Sequence, residues 1–359
     1  MARIKLFFII SVFVLFTEYT PVYTQQSTRT ITVTDSYNRT VTLQSEIKRI
    51  GCLYAFSGHV VTMLGRGEDI VAVVRGLKRD KMLSDICPSI QNAAVPNLND
   101  SLNMEELASV KPDVVFIKDT VAMKKSDTDT LTKLGIPYVV ISFSSIAEQK
   151  KAILIIGKTI GRKKEAEEYI SYYNSCEKRV KKAVEGIPKE ERVRLYHSIL
   201  EPLKTDGKKS ISAEWMDLAG VINVSINDKN GFSGEAHFAN IEQVLLWNPR
   251  AIITHEDSSL ETITGSSQWS SIDAVRNKKV FRMPNGISRW GHPGSLETPL
   301  AMLWTLKNIY PEYAGSINMK SETINFYKKF FNYTLTEQMA EQVLQGKGMR
   351  KSKKGKHHD

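Results

Sequence analysis

Cysteine is scarce in this chain: Cys52, Cys87 and Cys176 are the three present among 359 residues. They permit at most one disulfide, for which Cys52 and Cys87 are the candidates, and buried free thiols fit as well. No CxxC pair or Cys/His spacing is present, which removes structural zinc. Long hydrophobic runs are missing too. The stretch LFFIISVFVLF (6–16) is an apolar core of eleven residues, too short for a membrane-spanning helix of about 20. Enzyme signatures are also absent: there is no HExxH, no GxSxG, no GxGxxG after a strand and no phosphate loop.

The short apolar run carries its own message. Arg3 and Lys5 precede it, and Val22 and Thr24 give a small-residue pattern ahead of Gln25. That arrangement fits a signal peptide over 1–24, with an uncleaved anchor as the alternative. No Cys follows closely, so the lipid-attachment pattern of a bacterial lipoprotein is lacking. The rest is an ordinary soluble mixture, 42% apolar and 25% charged, and its length favours two domains. The net charge of +10 is concentrated in a basic tail (346–359, GKGMRKSKKGKHHD) and one long helical pattern, which gives nucleic-acid binding little support.

Two stretches share one spelling: NMEELASVKPDVVF (103–116) and NIEQVLLWNPRAII (240–253). Each has Asn first, Glu third and Pro tenth, then an apolar run. Each reads as a short helix stopped by Pro112 or Pro249 and followed by a strand. Around them, β-branched runs alternate with helical patterns, which predicts parallel, helix-covered sheets in two lobes. A hairpin is expected around SYNR (36–39). Between the lobes, Ala166, Tyr169, Ile170, Tyr173, Cys176, Val180, Ala183, Val184 and Ile187 form one apolar stripe at helical spacing. The domains are therefore placed at 25–150 and 189–345, with a helical linker at 151–188.

Ligands of open parallel sheets bind beyond the carboxyl ends of the strands. In the first lobe those positions are Tyr54 and Ala55, the run 75–80 with Arg75, Lys78 and Arg79, then 118–120 and 142–145. In the second they are His197, the loop with Lys204 and Lys208 ahead of Trp215, His255 to Asp257, and 285–295 with Arg289, Trp290 and His292. Cations, aromatics and imidazoles suit an anionic or metal-bearing, partly aromatic ligand. Plainer readings stand beside these. Trp215 fits helix packing, His237 fits an exposed loop, and His255 fits hydrogen bonding to its acidic neighbours. Arg289, Trp290 and His292 lie between glycines and a proline, where a core Trp is not expected. A metal hydrolase built on His237, His255 and His292 is a reading of another class.

Together these segments make the chain resemble periplasmic binding proteins that serve ABC importers of iron(III)–siderophores, haem, cobalamin and related metal chelates. The resemblance runs over roughly 30–311. It rests on RIGCLYAFSGHVVTMLG (49–65), the two repeated stretches, the long helix, AVRNKKVFRMP (274–284) and LAMLWTLKNIYPE (300–312). It implies class III architecture: two Rossmann-like α/β lobes joined by one rigid helix, with ligand in the cleft. It also implies a monomer, no enzymatic activity and no resident cofactor. The partners implied are a metal chelate and a permease dimer, docked through Glu105 and Glu242. Arg250 stands where that family usually has Asp, and the missing lipoprotein Cys implies a free periplasmic protein. For cargo, the resemblance favours an iron(III)–siderophore, with Arg75, Lys78, Arg79 and Arg289 toward a catecholate. Tyr54, Trp215 and Trp290 suit cobalamin. His237 and His292 would serve as metal or axial ligands for a nickel or cobalt chelate, or for haem.

Overall fold

A computed structural model describes residues 29–98, 101–226 and 234–347; the expected signal peptide and nearly all of the basic tail fall outside them. The first lobe opens with the expected hairpin, Thr30–Thr34 against Thr40–Gln44. Asn38 turns it with a φ of 58°. Four parallel strands follow, in spatial order Ile70–Val73, Ile50–Cys52, Val114–Lys118, Tyr138–Ile141. The second lobe repeats that order with Ile222–Asn223, Arg194–Ser198, Ala251–Thr254 and Val280–Arg282. In both, the second strand in sequence lies at the edge and the first and third lie side by side. The chain crosses from one side of the sheet to the other between them, the position at which open sheets bind ligands.

Period-two alternation divides each sheet between two cores. In the first lobe Val115, Ile117 and Val140 face an outer core with Leu107, Leu131 and Ile136. In the second, Tyr196 and Ile252 face another with Trp247, Trp269 and Ile272. Their neighbours Val114, Phe116, Val139, Leu195, Ala251 and Ile253 turn the other way, into one continuous core shared by both lobes. That shared core is filled by the helices Ile146–Thr159, Lys163–Val184 and Thr298–Ile309.

Lys163–Val184 is the interlobe helix expected from its stripe, 22 residues or roughly 33 Å long. It buries Ala166, Tyr169, Tyr173, Cys176, Val180 and Val184. A tight turn through Gly161, φ 71°, separates it from Ile146–Thr159. Hydrogen bonds tie this region to the second lobe: Glu214 Oε2 accepts from the Ile146 N–H at 2.7 Å, and Tyr169 OH donates to the Leu296 carbonyl at 2.6 Å. With a continuous apolar core and these ties across the junction, hinge bending has a large apolar surface to expose.

The repeated stretches are the same device twice. Asn103 Oδ1 accepts from the Glu106 N–H at 3.1 Å, and Asn240 Oδ1 accepts from the Gln243 N–H at 2.8 Å. Such caps contribute about 1 kcal/mol each. Both helices stop at a left-handed residue before the proline, Lys111 at φ 41° and Asn248 at φ 38°. Glu105 and Glu242 occupy the first turn of each, exposed to solvent. The three cysteines are buried free thiols, and burial pushes Cys52 up to about 12.

Candidate functional site

The carboxyl ends of the strands converge on a cavity of about 200 Å³. Its wall brings Phe143 and Ser144 from the first lobe together with His197, Lys204, Asp206, Lys209, Ser210, Ser212, Glu235, His255 and His292 from the second. A larger, shallower depression bounded by Lys307 and the segment from Gly315 to Met319 contains none of the strand-end residues.

His197 sits on the first strand of the second lobe and His255 directly follows the third, so the crossover point brings the two imidazoles together. Their Nε2 atoms are 2.7 Å apart. His197 Nδ1 lies 2.7 Å from Asp206 Oδ2. Asp206, fully buried, also accepts from Ser210 Oγ and Asn223 Nδ2, each at 2.9 Å. Held by those donors, the Asp206 carboxyl group orients the His197 ring. Burial, then the positive neighbours His197, Arg289, His292 and Arg282, holds His255 well below the usual imidazole range. Its Nδ1 is buried and has no hydrogen-bond partner among the described residues.

A short antiparallel pair, Lys204–Asp206 against Ala236–Phe238, supplies another wall. Lys204 and Asp206 face the cavity; His237, opposite Thr205 in the register, belongs to the other face of the pair. The helix Ile211–Leu218 starts in the wall, with Ser210 as its cap.

His292 is presented by a loop fixed from several sides. Buried Glu297 accepts from the Ser288 N–H and Oγ, Ser295 Oγ and Tyr327 OH at 2.6 to 3.2 Å. Gly291, φ 73°, offers its carbonyl to Trp215 Nε1 at 2.9 Å and Ser212 Oγ at 3.0 Å. A Cβ there would lie 2.7 Å from the Trp215 ring. Gln149 Nε2 donates to the Pro293 carbonyl at 2.7 Å. His292 Nδ1 accepts from the Gly294 N–H at 3.3 Å, which leaves the proton on Nε2 when the ring is neutral.

Of the residues anticipated from sequence, His292 lies in the cavity wall with the strand-end residues His197, His255, Lys204 and Ser144, whereas Tyr54, Arg75, Lys78, Arg79, Trp215, His237, Arg289 and Trp290 lie elsewhere. Tyr54 stands beside the wall, its ring 6.1 Å from that of Phe143. Burial, with Asp119 and Glu235 nearby, raises its phenol far above the usual range. Trp215 and Trp290 are fully buried in the shared core. The glycine beside Trp290 lets the loop close over Trp215, so the expectation of a solvent-facing Trp is corrected. Trp215 supports the site from behind, its ring 6.3 Å from that of His197. Arg289 pairs with Glu256 at 2.9 Å. The run with Arg75, Lys78 and Arg79 is a helical turn rather than a loop, anchored by buried Leu77. Lys78 Nζ donates to the Gln91 carbonyl at 2.9 Å. His237 is not in the wall that holds His292, and no cluster of three or more His, Cys, Asp or Glu side chains that could hold a metal ion is found among the described residues.

Strand-end logic had pointed to His197, His255, Lys204 and Ser144 as neighbours of the cleft. Asp206, Lys209, Ser210 and Glu235 were missed, since their hairpin joins segments about 30 residues apart and is only three residues deep.

Known proteins share the fold. Molybdate-binding protein MolA of Haemophilus influenzae is 25% identical over 323 residues, covering 83% of this chain and 90% of MolA. A periplasmic solute binding protein from Veillonella parvula superposes with a TM-score of 0.77 at 25% identity, over 88% of this chain and 97% of that one. The structure of MolA bound to molybdate gives 0.74 at 24% identity, over 85% and 99%. The family described as periplasmic binding protein matches residues 50–286, and this chain belongs to it, with the two-lobed class III fold.

Proposed function

We propose that this chain is the solute-binding component of an ABC importer and that its cargo is a compact oxyanion, with molybdate and tungstate as first candidates. The observation that carries this reading is the cavity between the lobes. At about 200 Å³ it is below the roughly 300–1,000 Å³ of drug-sized ligand sites, and haem, cobalamin or a ferric siderophore needs more. Its polar groups suit an anion. Lys204 and Lys209 lie in its wall with Glu235, and a helix begins there. Asp206 is already satisfied by His197, Ser210 and Asn223. The buried tryptophans weigh against the aromatic-rich site of a larger chelate, and the molybdate-binding relative supports the choice of anion.

The protein would bind without turnover in the periplasm and hand its cargo to a permease dimer. Glu105 and Glu242 are the proposed feet: both are exposed at homologous helix starts, and charge there would register docking rather than supply most of its affinity. Isothermal titration with molybdate, tungstate, sulfate, a nickel–histidine chelate, a ferric siderophore and haem tests the cargo. One-to-one binding of an oxyanion is expected. Saturable binding of haem or a siderophore, with no heat from any oxyanion, would overturn it.

A further inference from the structure

The chain of contacts Asp206–His197–His255 fixes how many protons it can hold and where. Each 2.7 Å contact needs one proton between its two atoms. Asp206 accepts from Asn223 and Ser210 as well, so the first proton belongs to His197 Nδ1. The second has two possible homes. With the pair neutral, His255 Nε2 donates to His197 Nε2, and His255 Nδ1 is a bare acceptor. With one more proton, His197 is an imidazolium donating from Nε2 to His255 Nε2, and His255 carries its own proton on Nδ1. One proton therefore turns His255 Nδ1 from acceptor into donor and gives the cavity wall a positive charge.

We propose that capture of an oxyanion takes up one proton into the His197–His255 pair, with Asp206 as the residue that positions His197 to receive it. This rests on the oxyanion reading of the cavity. The balance is simple: dianion plus proton plus neutral pair gives the same dianion beside a singly protonated pair, and no bond other than N–H is made.

The surroundings set the direction. The charged and titratable groups around His255 are His197, His292, Arg289 and Arg282, with Lys204, Lys209 and Glu235 elsewhere in the wall. Arg289 is paired with Glu256 and Arg282 with Asp257, each at 2.9 Å. This mostly positive ring and complete burial oppose a proton on the empty pair, consistent with the depressed His255. A bound dianion reverses the balance, so proton and anion bind cooperatively, and each must strengthen the other by the same factor. Affinity then rises as pH falls, up to about tenfold per unit while one proton is taken up. It levels off once the empty pair is already protonated.

The test is calorimetric titration of the full chain with molybdate, a dianion at pH 7, in buffers of differing ionisation enthalpy. About one proton taken up per anion is expected, with affinity falling as pH is raised from 6.5 to 8. The double variant His197→Gln with His255→Gln keeps amides that can hydrogen-bond and cannot titrate, so its proton uptake should fall to near zero and its pH profile flatten. Asp206→Asn should shift the profile to lower pH. Binding by the wild type with no proton exchange overturns the coupling alone. Full uptake retained in the double variant removes the pair as its seat. No binding of any oxyanion at any of these pH values overturns both the coupling and the assignment of cargo.

Discussion

In the first lobe the two central strands bring Cys52 and Lys118 to their carboxyl ends, and in the second the register-equivalent positions hold His197 and His255. Lys118 leans over the Tyr54 ring, its Nζ 5.8 Å from the centroid, beside Phe56 and Phe143. His197 and His255 are instead locked to each other and to Asp206. At the opposite ends of the same sheets the lobes agree in detail: an Asn cap, an exposed Glu and a left-handed residue before proline. One scaffold therefore keeps one face alike, as docking onto a two-subunit permease would require. It specialises the other into an aromatic wall on one side of the cleft and a proton-bearing polar wall on the other.

The comparison can be broken at several places. The largest effect is expected at Glu297, which holds the second lobe's loop and has no solvent to replace it. Glu297→Ala leaves the donors of Ser288, Ser295 and Tyr327 without their shared acceptor. It should cost about 3–5 kcal/mol in chemical denaturation. Next is the inequality of the two strand ends. His197→Ala strands buried Asp206 without its imidazole and should weaken molybdate binding by about 2–3 kcal/mol. Lys118→Ala at the equivalent lobe-one end should cost under about 1 kcal/mol. Equal losses in calorimetry would mean that both lobes hold the anion.

A smaller effect concerns pH without ligand. His255 is held below its unfolded value, so the unfolded chain binds the extra proton first as pH falls. Stability should be greatest above about pH 6.5 and decline below it, by at most about 1.4 kcal/mol per unit. His255→Gln should remove part of that decline in thermal melts; an identical decline would place its origin elsewhere. The smallest effect on the isolated protein is expected from Glu105→Ala with Glu242→Ala. Both sites are exposed, so stability should stay within about 0.5 kcal/mol and affinity should not change. Stimulation of the reconstituted transporter should nevertheless be lost, and normal transport by the double variant would remove these residues as feet.

Much of the fold was legible because its signals are local. The repeated stretches gave matching helix–strand units, and the stripe from Ala166 to Val184 gave the interlobe helix. The site was less legible for two physical reasons. Asp206 reaches His197 through a hairpin whose second strand begins 30 residues later in the chain, and no local pattern marks that pairing. Trp290 looked exposed because its flanking glycines resemble a loose loop. Gly291 instead takes a left-handed turn against Trp215 and draws Trp290 into the core. Side chains that pack through a special backbone conformation are hidden from periodicity.

The most direct test of the central claim is native mass spectrometry with elemental analysis of the protein recovered from its own cells. A single small anion, carrying molybdenum, tungsten or another oxyanion-forming element in a one-to-one ratio and lost in His197→Ala, is the expected result. A bound haem, cobalamin or iron siderophore in the recovered protein would contradict it.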